Sequence, residues 1–600
     1  MGGRVGQDGI HGATFSSEAL SEGSPATAVQ IGDPITQKKL SDVIVKEARD
    51  LCLYNSITDN GAGGISCSIP EMAKECGGCY VELDKVPLKY PNLEPWKIWV
   101  SESQERMTLS VPPEKVDQLF DLLQRRGVEA TIVGEFNDSG RCVVTMNGEK
   151  IMDVDLEFLH EGLPRKHLKS TYTKPHNKEP EFLEPKDYDE TSSKSQTRNK
   201  ALGTQTTGKT LNKILIEMLK RKNICSYSYI SYQYDHMVQG MATVYPLQGP
   251  GQVNGTASII TPILGSHRGI VISQGINPRY SDIDTYHMAA CAIDTAVRNA
   301  VAVGGDIDYM ALMDNFCWCS SDEEERLGQL KAAVKACYDY AVPYGTPFIS
   351  GKDSMFNDFK GYDKNGNLIK ISVPPTLLIS SLSVIEDARK AVTMDPKIPG
   401  DLVYILGITK NELGASEYFA QMDKDNIGMN VPKVDAEKAI SIYRTFKEAV
   451  DQELLASSFS IGFGGLAVAL AKKAISGQLG LEIDLSAVPQ SKDLEEISKS
   501  RSDYLLFSES QTRFLVTVSP NNKEKFEKLF GKVSTTNNKT TNSKIDAPND
   551  KTNTANTPTI ALIGKVTNTP SLIIKNKDKE IINIAIKDLD EAYKSPFKNY

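Results

Sequence analysis

A few short stretches of this 600-residue chain set polar side chains beside backbone turns in ways that could do chemistry. In Asp59-Asn-Gly-Ala-Gly-Gly64 an acidic residue stands at the lip of a glycine turn that leads into a helix-spaced apolar run. A carboxylate there can hold a divalent cation such as Mg²⁺ while backbone N–H groups face phosphate, or it can cap the helix. Glu102-Ser103-Gln104 stands where an apolar strand begins. Buried Glu and Gln need hydrogen-bond partners, so the trio forms either a structural network or a contact to a polyhydroxylated or amide substrate. GTQTTGKT (203–210) fits the phosphate-loop pattern letter for letter. A phosphate loop needs a buried strand to deliver it, and the polar ETSSKSQTRNKAL before it cannot form one, so it reads as part of a linker. Cys76-Gly-Gly-Cys79 and Cys317-Trp-Cys319 lack the spacing to a second pair that a four-ligand zinc site requires and read as inert thiols.

The elements that must position these residues are written twice. VSESQERMTLSV (100–111) and FSESQTRFLVTV (507–518) agree at six of twelve positions. Upstream, Gly61, Gly63 and Gly64 match Gly462, Gly464 and Gly465, and VELDKVP (81–87) matches LEIDLSAVP (481–489). Downstream, EKVDQLFDLLQRRG faces NKEKFEKLFGK, both amphipathic at helical spacing, and TIVGEFND (131–138) faces ALIGKVTN (561–568). Shared order of this kind marks an internal duplication. Ser460 stands at the position of Asp59, so the copies have diverged, one towards activity and one towards support. Ser534–Pro558 interrupts the second copy with Asn, Thr, Lys and Asp and is expected to be a disordered surface loop.

The net charge of −9 argues against general binding to nucleic acid or anionic membranes, and no apolar stretch approaches the ~18 residues of a membrane span. The first residues, MGGRVGQDGIHG, have no apolar signal-peptide core. The scattered cysteines suit a reducing compartment, so a cytoplasmic location is expected.

ATAVQIGDP, ITDNGAGGIS, SESQERM, YDHMVQG, INPRY, AVRNAVAVGGD and SGKDSM occur in this order. The set resembles the phosphoribosylformylglycinamidine synthase family, within the superfamily of aminoimidazole ribonucleotide synthetase. The resemblance implies an α/β (α+β) fold of two modules, each a ferredoxin-like A domain and an α/β B domain. It implies a remnant of the first A domain at 1–34, a first B domain at 35–165, a polar linker at 166–210, a second A domain at 211–395 and a second B domain at 396–600. The implied activity is ATP-dependent amidation of formylglycinamide ribonucleotide in purine synthesis, a carbon–nitrogen ligation with glutamine as amido donor. The partners would be a glutaminase subunit that supplies ammonia and a small accessory subunit.

Carried over by motif, Gln30, Glu102, Ser103, Gln104 and Ser354 would contact substrate. Asp314, Gly351 and Lys352 would contact nucleotide, and Asp59 would bind Mg²⁺. Lys352 departs from the family's Asn; a Lys cannot ligate Mg²⁺ but can offer an ammonium to phosphate. The family's catalytic His segment finds no match, and His11 does not fit it, so the chain alone is expected to be inactive. The other reading is a non-catalytic nucleotide-binding scaffold. Either way the second A domain is expected to expose an apolar sheet face, and turnover is expected to tolerate change at Ser460 and Gln511 better than at Asp59 and Gln104.

Overall fold

The computed structural model describes residues 1–10, 19, 21, 32–186, 210–233, 240–536 and 560–600. Gln30, His11, residues 203–209 of the phosphate-loop-like stretch and the insertion from 537 onward lie outside the described residues. The chain divides into two units, Met1–Lys169 with Ser354–Ser372, and Ser170–Asp353 with Val373–Tyr600.

In the first unit, α1 (Pro34–Val43) begins at Asp33, whose carboxylate accepts the N–H groups of Ile35 and Thr36 with Pro34 in the first turn. Strand β1 (Ser56–Asp59) runs into the glycine turn and α2 (Ile65–Ala73). Then follow β2 (Gly78–Glu82), α3 (Pro95–Val100), β3 (Met107–Ser110), α4 (Val116–Arg125), β4 (Gly134–Asn137), β5 (Arg141–Met146) and β6 (Glu149–Asp155). Leu119, Leu122 and Leu123 of α4 recur at helical spacing and pack against Leu40 and Val43 of α1. The strands form two sheets, β1-β3 and β4-β2-β5-β6, with β2 and β5 parallel.

The second unit holds α5 (Leu211–Leu219), β7 (Ala242–Val244), a short ribbon of β8 (Leu247–Gln248) and β9 (Val253–Asn254), β10 (Ala257–Ile260) and β11 (Gly269–Ile276). It continues through α6 (Thr285–Ala302), β12 (Met310–Cys317), α7 (Glu324–Tyr344) and β13 (Phe348–Ser354). The hairpin β14 (Asp358–Tyr362) and β15 (Leu368–Ser372) groups with the first unit, inside what the sequence assigns to the second A domain. Strand β16 (Thr376–Ile385) returns to complete the sheet β13-β12-β16-β11-β10-β7. Helix α6 covers one face of that sheet. On the other face, Ile272 and Ile276 of β11 are 41% and 39% exposed, and Leu378 and Leu382 of β16 lie opposite them in register.

The duplicate follows: β17 (Leu402–Leu406), α8 (Ala436–Asp451), β18 (Ser457–Ser460), α9 (Gly465–Gly477), β19 (Gly480–Asp484), β20 (Phe514–Val518), α10 (Lys523–Thr536), β21 (Ile560–Thr567), β22 (Ser571–Asn576) and β23 (Lys579–Ala585). These strands make one sheet, β18-β20-β17-β21-β19-β22-β23. The two copies correspond strand for strand. Asp59 pairs Met107 across β1 and β3 as Ser460 pairs Phe514 across β18 and β20, and β2–β5 is parallel as β19–β22 is. They differ at one place. Strand β17 lies between β20 and β21, antiparallel to both. Among the described residues of the first unit no strand lies between β3 and β4, and the sheet is split there.

Three local details go beyond the sequence. Residues 1–10 pack with the first unit. The Met107 N–H donates to the Met1 carbonyl, the Gly3 N–H to the Glu105 carbonyl, and Val5 is buried in the first unit's core. The glycines at 2 and 3 permit this approach, since a Cβ at Gly2 would stand 2.1 Å from the Glu105 carbonyl oxygen. Helix α5 buries Leu211, Ile214, Leu215 and Met218 in the core of the seven-stranded sheet rather than in the six-stranded one, so a chain segment at 211 completes the second copy. The Ser-Glu-Ser-Gln segments precede β3 and β20 instead of opening them, because their side chains bond to backbone and leave no ladder to extend.

Candidate functional site

Each Ser-Glu-Ser-Gln segment is a loop pinned by its own side chains. In the first copy Ser101 Oγ donates to the Gly6 carbonyl (3.0 Å), the Gly6 N–H donates to Ser103 Oγ (3.1 Å), and the Glu102 N–H donates to the Gly9 carbonyl (2.7 Å). Gln104 Nε2 donates to the Glu102 carbonyl (3.1 Å). Arg106 folds back beneath the loop and donates to the carbonyls of Ser103 and Ser101. The second copy repeats this bond for bond. Ser508 donates to the Lys410 carbonyl, Ser510 accepts the Lys410 N–H, Gln511 Nε2 donates to the Glu509 carbonyl, and Arg513 donates to the carbonyls of Ser510 and Ser508. Both turns pass through a left-handed residue after the Gln, Glu105 at φ 56° and Thr512 at φ 59°. The buried guanidinium groups face carbonyl oxygens, and burial lowers Arg106 to about 10 and Arg513 to about 9.

The glutamate ties the loop to the glycine turn. Glu102 Oε1 accepts the Gly63 N–H (2.9 Å), and Glu509 Oε1 accepts the Gly464 N–H (2.8 Å). The turn must be glycine in the first copy, because a Cβ at Gly64 (φ 58°) would lie 1.9 Å from the Ser101 carbonyl oxygen. Asp59 does not cap α2. Its Oδ1 accepts the Gly61 N–H (2.8 Å), it is exposed, and the N-cap position of α2 is Gly64.

The copies part in what else meets the loop. In the second copy Gln511 is buried, and its Oε1 accepts Arg298 Nη1 (2.9 Å) and Thr295 Oγ1 (3.1 Å) from α6. Tyr280 donates to Glu509 Oε2 (2.6 Å), the Glu417 N–H donates to Glu509 Oε1, and Ser460 donates to Asn299. Ser460 and Gln511 are both interior residues, so changes there act on stability. Asp294 and Arg298, an ion pair with both side chains fully buried, anchor this junction. Asp294 also accepts bonds from Tyr344, Tyr443 and the Thr512 N–H. Sequence reading passed over this pair, although an Asp and an Arg four residues apart in an otherwise apolar helix were its signal. In the first copy Glu102 and Ser103 are buried while Gln104 is exposed.

A second group lies on adjacent strands of the six-stranded sheet. A Cβ at Gly351 of β13 would stand 2.5 Å from Asp314 Oδ1 of β12, so glycine there leaves the carboxylate uncovered. Burial, and then the charge of Asp353, raise the Asp314 carboxyl above its ordinary value. Lys352 and Asp353 are exposed, and Ser354 at the end of β13 is buried. Cys79 faces Cys142 across β2 and β5, and no group of three His, Cys, Asp or Glu residues among the described residues is arranged to hold a metal ion.

AIR synthase related protein, C-terminal domain, matches residues 3–147 and again 399–536, and AIR synthase related protein, N-terminal domain, matches 255–373. The first match begins within the N-terminal residues that the structure also joins to the first unit. Phosphoribosylformylglycinamidine synthase subunit PurL of Thermococcus sibiricus is 31% identical over 599 residues, 99% of this chain and 72% of that protein. The chain belongs to the PurL family. PurL of Thermotoga maritima shares the fold in three solved structures. They are a complex with FGAR (TM-score 0.60, 20% identity, 94% of this chain and 70% of that one), a complex with AMPPCP (0.56, 18%, 94% and 70%) and PurLQS (0.54, 18%, 92% and 70%). PurL membership accounts for the twofold C-terminal-domain match and for the α/β architecture. Among the described residues no helix is long and apolar enough to cross a membrane.

Proposed function

We propose that this PurL-family chain is the synthetase part of phosphoribosylformylglycinamidine synthase and that its substrate site is the first-copy loop. The observation that carries this is the asymmetry between two otherwise identical loops. Gln511 is buried at a junction with Arg298 and Thr295, whereas Gln104 is exposed on the loop whose Glu102 accepts the Gly63 N–H of the glycine turn. In this reading Gln104, Glu102, Ser103, Gln30 and Ser354 hold formylglycinamide ribonucleotide, and Asp314, Gly351 and Lys352 hold ATP. The γ-phosphoryl group passes to the formamide oxygen with release of ADP, giving an iminophosphate. Ammonia attacks its carbon, the C–O bond to phosphate breaks, and formylglycinamidine ribonucleotide and inorganic phosphate leave. Ammonia comes from the glutamine of a glutaminase partner, in keeping with the PurLQS assembly of the Thermotoga relative.

The exposed carboxylate of Asp59, at the lip of the glycine turn, would hold Mg²⁺. Bound there it would neutralise phosphate charge. The chain's own part is orientation. Loop rigidity fixes Gln104, and the glycine at 351 keeps Asp314 open to the nucleotide.

Calorimetric titration tests the assignment. Gln104→Ala should abolish binding of formylglycinamide ribonucleotide, and Gly351→Ala or Asp314→Ala should abolish binding of ATP, with Lys209→Ala leaving both intact. Loss of ATP binding in Lys209→Ala alone would transfer the nucleotide to the phosphate-loop-like stretch and overturn the reading.

A further inference from the structure

Three thiols of the first unit lie together where α2 ends and β2 begins. Cys79 of β2 and Cys142 of β5 are Cα partners in the parallel pairing of those strands. Partners in register carry their side chains on one face of a sheet. Here that face is the core, since Cys79, Cys142 and the next pair along, Val81 and Val144, are all buried in it. Neighbouring strands run about 4.8 Å apart. Disulfides join Cα atoms about 4.4–6.8 Å apart. The backbone therefore already stands within that window, and joining the two thiols needs no movement of either strand. Contact with the Cys142 thiol, then burial, then the charge of Cys76 push the Cys79 thiol up, and the same contact lowers Cys142. Cys79 thus donates its S–H to Cys142, and Cys142 is the readier thiolate.

Cys76 is the third thiol. It is exposed, and its Sγ donates to the carbonyls of Ala73 (3.4 Å) and Gly78 (3.5 Å) at the end of α2. Gly77, at φ 101°, turns the chain from the helix into β2 and brings Cys76 back towards Cys79. The accessibilities differ sharply. Cys79 and Cys142 are 1% and 0% exposed, so a dissolved oxidant cannot reach them, whereas Cys76 meets solvent.

We propose that Cys79 and Cys142 form a reversible disulfide, a modification site that Cys76 opens to a hydroperoxide. The Cys76 thiolate attacks a peroxide oxygen, the O–O bond breaks, an alcohol or water leaves, and Cys76 becomes a sulfenic acid. The Cys79 sulfur then displaces hydroxide from Cys76, the Cys79 proton leaves with it as water, and a Cys76–Cys79 disulfide forms. The Cys142 sulfur attacks Cys79, the bond to Cys76 breaks, and the Cys142 proton passes to Cys76. In sum two thiols give two electrons and two protons to the hydroperoxide, and Cys76 returns unchanged. In a reducing compartment dithiols reverse the bond, so it marks exposure to oxidant and is no permanent brace. No residue of the proposed substrate site takes part.

The full chain is reduced, treated with hydrogen peroxide, alkylated in denaturant, digested after Lys and Arg, and weighed by mass spectrometry. The expected product is Glu75–Lys85 linked to Cys142–Lys150, with Cys76 alkylated, and dithiothreitol separates the two peptides. Cys76→Ser should form this link at least about tenfold more slowly, because the oxidant loses its entry. Cys142→Ala should stop at the Cys76–Cys79 disulfide. The proposal is overturned if peroxide leaves Cys79 and Cys142 free to be alkylated, or if the unmodified chain ends with Cys76 joined to Cys79. An undiminished rate in Cys76→Ser overturns it as well. The unmodified chain and Cys76→Ser keep the core intact and decide the matter should Cys142→Ala not fold.

Discussion

Gln104 and Gln511 show how one residue type serves two ends. Each bonds its amide nitrogen to the carbonyl two residues back, so the loop dictates the side chain's first contact in both copies. The oxygen decides the rest. Gln511 Oε1 satisfies a buried guanidinium and a threonine hydroxyl, and Gln511→Ala strips both of an acceptor. A buried donor left without a partner costs about 1–3 kcal/mol. Gln104→Ala, at an exposed position, should change stability by no more than about 0.5 kcal/mol. Urea unfolding of the two variants checks this; equal losses would mean that the copies are not specialised as described.

At the scale of elements, Glu509 joins a loop, a helix N-terminus and a distant tyrosine. Burial raises its carboxyl to about 7, against opposing bonds from Gly464 and Tyr280. The unfolded chain ionises this group near its ordinary value of 4.5. Below that pH both states are neutral and the contribution is intact. As the pH rises to 7 the unfolded chain gains an ionisation that the folded chain cannot follow, and about 3 kcal/mol of stability is lost. The stability of Glu509→Gln relative to the unmodified protein should therefore improve from pH 5 to pH 7.5 in denaturant titrations. A constant difference would show that Glu509 is already ionised in the fold.

The elements were legible in sequence to the extent that they repeat. Glycine turns, amphipathic α4 and α10 and the paired strands recur with the same spacing, and spacing is what periodic structure writes into a chain. The Ser-Glu-Ser-Gln loops read as strand starts in the sequence because side-chain-to-backbone bonds leave no periodic trace. The Asp294–Arg298 pair escaped for a related reason: its partners Tyr344, Tyr443 and Thr512 are remote in sequence, and only the fold gathers them. The role of residues 1–10 was hidden because their contacts to Ser101, Ser103, Glu105 and Met107 run from backbone groups and leave no pattern in residue type.

At the scale of the whole molecule the six-stranded sheet keeps one face open. Ile272, Ile276, Leu378 and Leu382 stand on it in cross-strand register, where soluble proteins rarely leave apolar residues grouped. The chain is therefore expected to associate or to bind a dye for apolar surface, and Ile272→Glu should reduce both. A monodisperse monomer in light scattering that binds no dye would contradict this.

The buried carboxylate of Asp294 has a consequence in time. Its bonds reach across 50 residues to Tyr344, 149 to Tyr443 and 218 to Thr512. Closing such loops costs entropy before any bond rewards it, so local helices and hairpins form first and this junction forms late. Tyr443→Phe should then hasten unfolding while leaving the folding rate almost untouched, and the six- and seven-stranded sheets would mature separately before Asp294 locks them into one cooperative unit.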